Sequence, residues 1–135
     1  TKTNDVTELY KGMTHYFLNR LPKDNVPFWD LIFNDGDDQS RDSSAAAIAI
    51  CGMDEMNKYL PNDADKAVYE GAIQTMMRSL IDNYTEETHE PGNPVLYHGV
   101  YSWHSGKGVD EGNIWGDYFY LEALMRLYKD WNPYW

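Results

Sequence analysis

Cysteine is almost absent: Cys51 stands alone in 135 residues, so no disulfide can form within the chain. It lies in an apolar helical run, where a thiol packs as a small hydrophobe, and a reducing, cytoplasmic setting is the expectation. Positive charge is scarce as well. Eleven Lys and Arg stand against 22 Asp and Glu, a formal net charge of −11, and that field repels polyanions, so nucleic acid is excluded as an expected partner. No apolar run approaches the ~18 residues of a membrane span, so no membrane partner is expected. The polar start Thr1-Lys-Thr-Asn-Asp5 does not read as a signal peptide.

Metal and nucleophile signatures are missing too. His15, His89, His98 and His104 lack the clustered spacing of a zinc site, and no Ser/His/Asp or Cys/His arrangement is present. The acidic loop carrying Asp35, Asp37, Asp38 and Asp42 lacks the ordered ligands of a calcium-binding loop. Helix capping and solvation account better for these carboxylates, with Arg41 as their counter-ion or as a ligand contact. No cofactor and no metal are implied.

What the chain has in plenty is apolar and aromatic surface. Hydrophobic residues make up 42% and charged ones 24%, the composition of one globular domain. Five Trp and eleven Tyr crowd toward loops and the C-terminus. Their flat faces and polar edges suit stacking on carbohydrate, and half-buried core rings explain part of the excess.

The apolar periodicity predicts four helices. Val6, Leu9, Tyr10, Met13, Phe17 and Leu21 recur at three and four across residues 5–21, one face of an amphipathic helix. An apolar connector, 28–33, reads as strand-like or extended. Asp42 with Ser43 and Ser44 then forms an N-cap for a helix whose 45–53 stretch has no charged or amide residue, so other elements must surround it. Pro61-Asn-Asp63 breaks and recaps, and Ala64, Ala67, Val68, Ala72, Met76 and Leu80 mark a second amphipathic helix to about residue 84. The last helix, 114–129, is apolar nearly all round, with Glu122 and Arg126 at i,i+4. The fold class is therefore all-α, in two pairs of an amphipathic and an enclosed helix. Two enclosed helices need more neighbours than two amphipathic ones supply, because an uncovered apolar face costs roughly 25 cal/mol per Å². Burial alone thus predicts a part of something larger.

Between the last two helices, residues 85–116 lose helical periodicity and carry six glycines, with 96–103 reading as a short strand or hairpin arm. The run Tyr101-Ser-Trp-His-Ser-Gly-Lys107 concentrates hydroxyls, rings and one cation on a glycine-flanked loop that leads into the apolar helix. Two hydroxyls and an ammonium within six residues can grip a sulfate, phosphate or carboxylate, and a solvated turn with one buried Trp is the plainer account. Of the four histidines, His104 alone falls in this candidate pocket. Asp110, Glu111 and Asp117 are expected just before or inside the first turn of the last helix, where its dipole favours negative charge. The alternative is a carboxylate pair for acid–base chemistry on a glycoside.

Phe33-Asn-Asp-Gly-Asp, Asp42-Ser-Ser-Ala-Ala-Ala-Ile and the long run from Gly99 to Leu124 closely resemble the C-terminal part of unsaturated glucuronyl hydrolases, glycoside hydrolase family 88. The resemblance covers nearly the whole chain. It implies that residues 1–135 are the C-terminal portion of one (α/α)6 toroid of outer and inner helices, whose inner-helix entry loops line the mouth. It implies removal of a 4,5-unsaturated uronic acid from glycosaminoglycan disaccharides by hydration of the vinyl ether. The family's catalytic aspartates lie in an earlier portion that this sequence lacks, so no catalytic residue is assigned here. Family members that favour 6-sulfated amino sugars carry Ser-x-x-Ser-x-Lys, which Ser102, Ser105 and Lys107 match, with Tyr101 or Trp103 lending a ring. The implied partners are unsaturated disaccharides, sulfated ones among them, and either the missing N-terminal part of the domain or another copy of the chain. A rival reading is a stand-alone, non-catalytic carbohydrate-binding or interaction module, and a third is an all-α structural domain. Exposure of the 45–53 helix separates the first two: a complete module covers it.

Overall fold

The computed structural model describes residues 2–87, 90–130 and 132. Helices α1 (Lys2–Asn19), α2 (Ser43–Asn57), α3 (Ala64–Asn83) and α4 (Ile114–Tyr128) stand in the predicted order, and strands β1 (Gly99–Ser102) and β2 (Lys107–Glu111) form one antiparallel hairpin between α3 and α4. The apolar connector forms only a one-residue bridge, Phe28 to Arg41.

Helix α2 is central and packs against both α3 and α4. Asp42 caps it from an extended backbone, its carboxylate accepting the amides of Ser44 (3.1 Å) and Ala45 (3.4 Å). Ala46, Ala47, Ile50, Cys51 and Met53 are buried toward those neighbours. Burial pushes the Cys51 thiol up to about 12, so it stays protonated and packs as a hydrophobe. The opposite stripe, with Ile48 and Gly52, is exposed. The enclosure expected of this helix is thus supplied on one side only.

On α3 the buried stripe is Tyr69, Ile73, Met76, Met77 and Leu80, while Ala64, Ala67 and Val68 are exposed. The predicted face is corrected at its N-terminal half. Turning Tyr69 and Ile73 inward removes more apolar area from water than turning the alanines would. Helix α4, capped by Asn113 at the Gly116 amide (2.7 Å), buries Gly116, Tyr120 and Ala123 but leaves Ile114 (78%), Leu121 and Leu127 bare. Its Glu122 and Arg126 are buried as a pair, and Arg126 also reaches Glu55 (2.9 Å) and Asp54 (3.3 Å). Burial alone would lower the Arg126 pKa, but the bonds to Glu55 and Glu122 outweigh it and hold the charge.

Helix α1 meets α3 through Tyr10, edge-on to the Tyr69 ring, and through Lys11 to Asp65 at 2.7 Å. His15 sits on the surface of this helix and hydrogen-bonds with the Tyr69 hydroxyl at 3.0 Å. The predicted apolar face of α1 is covered in part: Tyr10, Phe17 and Leu21 pack against the core, while Leu9 (64%) and Met13 (65%) stand over a groove of about 450 Å³ shared with Ile48 and Met56 of α2. Large apolar side chains on α1, α2 and α4 are therefore in water in this chain alone.

Candidate functional site

Two loops meet at the end of the molecule where α2 and α4 begin. The first, 34–42, is pinned by backbone bonds from Trp29 to Ser40 (3.0 Å) and from Asp42 to Pro27 (2.8 Å), and by Trp29 Nε1 donating to Gln39 (2.9 Å). Asp35 and Asp37 accept the backbone amides of Lys23 and Asn34 and so pin loop backbone; of the four acidic residues only Asp42 caps a helix among those described. Arg41 lies over the Phe28 ring, its Cζ 3.7 Å from the centroid, and donates through Nε to Asp24 at 3.1 Å, so its counter-ion belongs to the preceding turn and not to the acidic loop. Asp24 also accepts the Tyr84 hydroxyl at 2.7 Å. Burial, and then this bond, raise the Tyr84 pKa.

The second element is the β1–β2 hairpin. Ser102 pairs with Lys107, Val100 with Val109 and Gly99 with Glu111, which leaves Asp110 as the extra residue of a bulge. A single 3₁₀ turn, Trp103–Ser105, joins the strands and is closed by Gly106 at φ 64. At Gly108, φ 57, a Cβ would come within 2.8 Å of the Tyr101 Cβ, so the hairpin needs glycine there. The hairpin is anchored to the start of α2. The Ser43 amide donates to His98 (3.1 Å), the Ser43 hydroxyl to Tyr97 (2.5 Å) and the Val100 amide to Asp42 (3.4 Å). Trp115 of α4 donates to the Ser44 hydroxyl, which donates to Asp42 in turn.

Both loops face a common cleft of about 490 Å³ lined by Asp38, Gln39, Ser40, Arg41, Asn83, Tyr84, His98, Trp103 and Asp110. Trp103 stacks on Trp29 at 4.8 Å and 8°, so the two indoles make a rigid flat platform in its wall. Such a mixture of hydroxyl, amide and carboxylate groups beside one broad ring suits a saccharide.

The structure brings the other predicted residues near this cleft without putting them in its lining. Ser102 and Lys107 face each other at the hairpin tip, with Ser105 in the turn between them and its hydroxyl donating to the Ser102 carbonyl at 3.3 Å. Lys107 is exposed and makes no ion pair among the described residues. Tyr101 is 65% exposed, its ring 5.6 Å from that of Trp115. His104 stands edge-on to Trp29 beside the cleft, and His98 is the histidine in its lining. His89 lies outside the described residues.

The acidic trio lies where expected, Asp110 and Glu111 just before α4 and Asp117 inside its first turn. Asp110 and Glu111 belong to β2, and Asp110 bonds His98 Nδ1 at 2.7 Å. Asp117 does lie in the first turn of α4, but its carboxylate accepts the amides of Val95 and Leu96 at 2.9 Å each. It is a clamp on the loop before the hairpin. Sequence reading missed Trp29, Asp24, Tyr84 and the His98–Asp110 pair, since partners far apart in the chain leave no local pattern.

Packed helices whose entry loops converge on an aromatic, polar cleft have the layout of a sector of an (α/α)6 toroid. No protein-family model matches the chain. It is 67% identical over 135 residues to an unsaturated chondroitin disaccharide hydrolase of Streptococcus pyogenes serotype M1, covering 99% of this chain and 34% of that protein. Against the unsaturated glucuronyl hydrolase of Bacillus sp. GL1 the identity is 36% over 132 residues, 97% of this chain and 35% of the relative. Among solved structures it matches, with TM-score 0.93 and 62% identity over 99% of this chain and 36% of the other, a mutant Streptococcus agalactiae unsaturated glucuronyl hydrolase complexed with dGlcA-GalNAc6S. The chain belongs to the unsaturated glucuronyl hydrolases, glycoside hydrolase family 88, and spans about a third of the length of the curated relatives it matches.

Proposed function

We propose that residues 1–135 are the C-terminal portion of a single (α/α)6 glycoside hydrolase domain, and that its hairpin supplies the subsite for a sulfated second sugar. The observation that carries this is the hairpin tip, where Ser102, Ser105 and the unpaired ammonium of Lys107 lie within one turn of the Trp103 platform. Two hydroxyls and one cation suit the three acceptor oxygens of a sulfate, with Ser105 and Lys107 exposed and Ser102 half-buried beside them. Trp103 gives the sugar face its ring, with Tyr101 and His104 at the margins. The intact protein releases 4,5-unsaturated uronic acid from glycosaminoglycan disaccharides by hydration of the vinyl ether, with the acid–base aspartates outside this chain. The uncovered faces of α1, α2 and α4 support the same reading, because the rest of the domain would close over them. A stand-alone binding module would leave them in water, which disfavours that alternative.

The test is Lys107→Ala in the intact protein. A charge-assisted bond contributes about 1.5–3 kcal/mol, so kcat/KM on the 6-sulfated disaccharide falls about 10- to 100-fold while that on the unsulfated one changes little. Equal losses on both substrates remove the sulfate role.

A further inference from the structure

The cleft contains a pair that the sulfate subsite does not use. His98 and Asp110 both line it, bonded Nδ1 to Oδ1 at 2.7 Å across the base of the hairpin. Each has a left-handed backbone, φ 64 and φ 61, two of the three non-glycine residues in that region among those described. Asp110 owes its place to the bulge, which turns its carboxylate toward His98. An exposed pair of this kind contributes little to stability, so fold alone does not explain two such conformations meeting at one point.

Their chemistry is specific. A carboxylate on Nδ1 fixes the proton there, and neutral imidazole then presents Nε2 as an acceptor. The second oxygen of Asp110 is an acceptor too. Asp38 adds another carboxylate to the lining, and the cleft's one cation, Arg41, is already paired with Asp24. Such a wall accepts hydrogen bonds from hydroxyls and repels anions.

We propose that His98, held by Asp110, binds a hydroxyl of the uncharged part of a saccharide stacked on Trp103, at a site separate from the anion-holding hairpin tip. The proposal rests on the functional reading above for the class of ligand, and on the cleft for the position. It sorts one substrate by charge: sulfate to the tip, neutral ring to the base.

Initial rates of the intact protein on the 6-sulfated and unsulfated disaccharides test it. Asn and Gly tolerate positive φ, so His98→Asn and Asp110→Gly leave the backbone unstrained. Both variants raise KM about tenfold, by the same factor on the two substrates, with kcat within about twofold. Asp110→Asn, whose amide oxygen still accepts from Nδ1, keeps KM within about threefold. Should His98→Asn not fold, as judged by its melting temperature, the contrast between Asp110→Gly and Asp110→Asn decides alone. Unchanged KM in Asp110→Gly, or a loss confined to the sulfated substrate, overturns the proposal. If Lys107→Ala proves unselective while the His98 effect stands, the sulfate subsite falls and this site survives. If the unaltered protein turns over neither disaccharide, the functional reading fails and this site with it.

Discussion

Arg126 shows how much a single residue can hold. Its side chain is almost wholly buried, and it meets Glu122 on its own helix and Asp54 and Glu55 on α2, tying α4 to α2 in an otherwise apolar seam. Removing one partner of a buried pair leaves the other charge without compensation. Arg126→Met should therefore destabilise the protein by about 3–5 kcal/mol. Adding Glu122→Gln should recover part of the loss, and urea denaturation of both variants measures it. A second variant no more stable than the first means that Glu122 is not what Arg126 serves. The Glu122–Arg126 spacing was legible in the sequence, because i,i+4 is a local relation. The reach to Asp54, about seventy positions away, was not.

At the scale of elements, Asp42 links capping to the site. One carboxylate oxygen accepts from Ser44, Ala45 and Val100, so the start of α2 and the first strand of the hairpin are set by the same atom. Asp42→Ala should cost more than an ordinary cap, about 2 kcal/mol, since a hairpin amide loses its partner with it. Thermal unfolding of Asp42→Ala beside Asp63→Ala, a cap on α3 whose further contact is a 3.8 Å ion pair with Lys11 and not a hairpin amide, measures the difference, and equal losses would deny Asp42 the second task. The N-cap itself could be read from Asp-Ser-Ser before an apolar run, and the helices followed from their period. The hairpin was half legible, as an arm near 96–103, but its bulge was not. Bulges depend on which residues face each other across the turn, and glycine-rich sequence leaves that register open. This is why the His98–Asp110 pair went unread.

Over the whole molecule the apolar surface is distributed as in a slice and not as in a finished globule. Val6, Leu9 and Met13 on α1, Ile48 on α2, and Ile114 and Leu121 on α4 are all in water, while the α2–α3–α4 seam is closed. The sequence foretold this, since a helix with no polar side has to be covered by something and the chain holds too few elements to do it. What it did not reveal is which side would stay bare. That is fixed by the choice of Tyr69 and Ile73 as the face of α3, and by the ion cluster that orients α4. The proposed sector of a larger ring is tested most directly by light scattering, after size-exclusion chromatography, of the 135-residue chain expressed by itself. The account predicts self-association or dye-binding exposure of apolar surface, at masses above the 15.7 kDa of one chain. A monomer of that mass which unfolds cooperatively and binds no hydrophobic dye would contradict it.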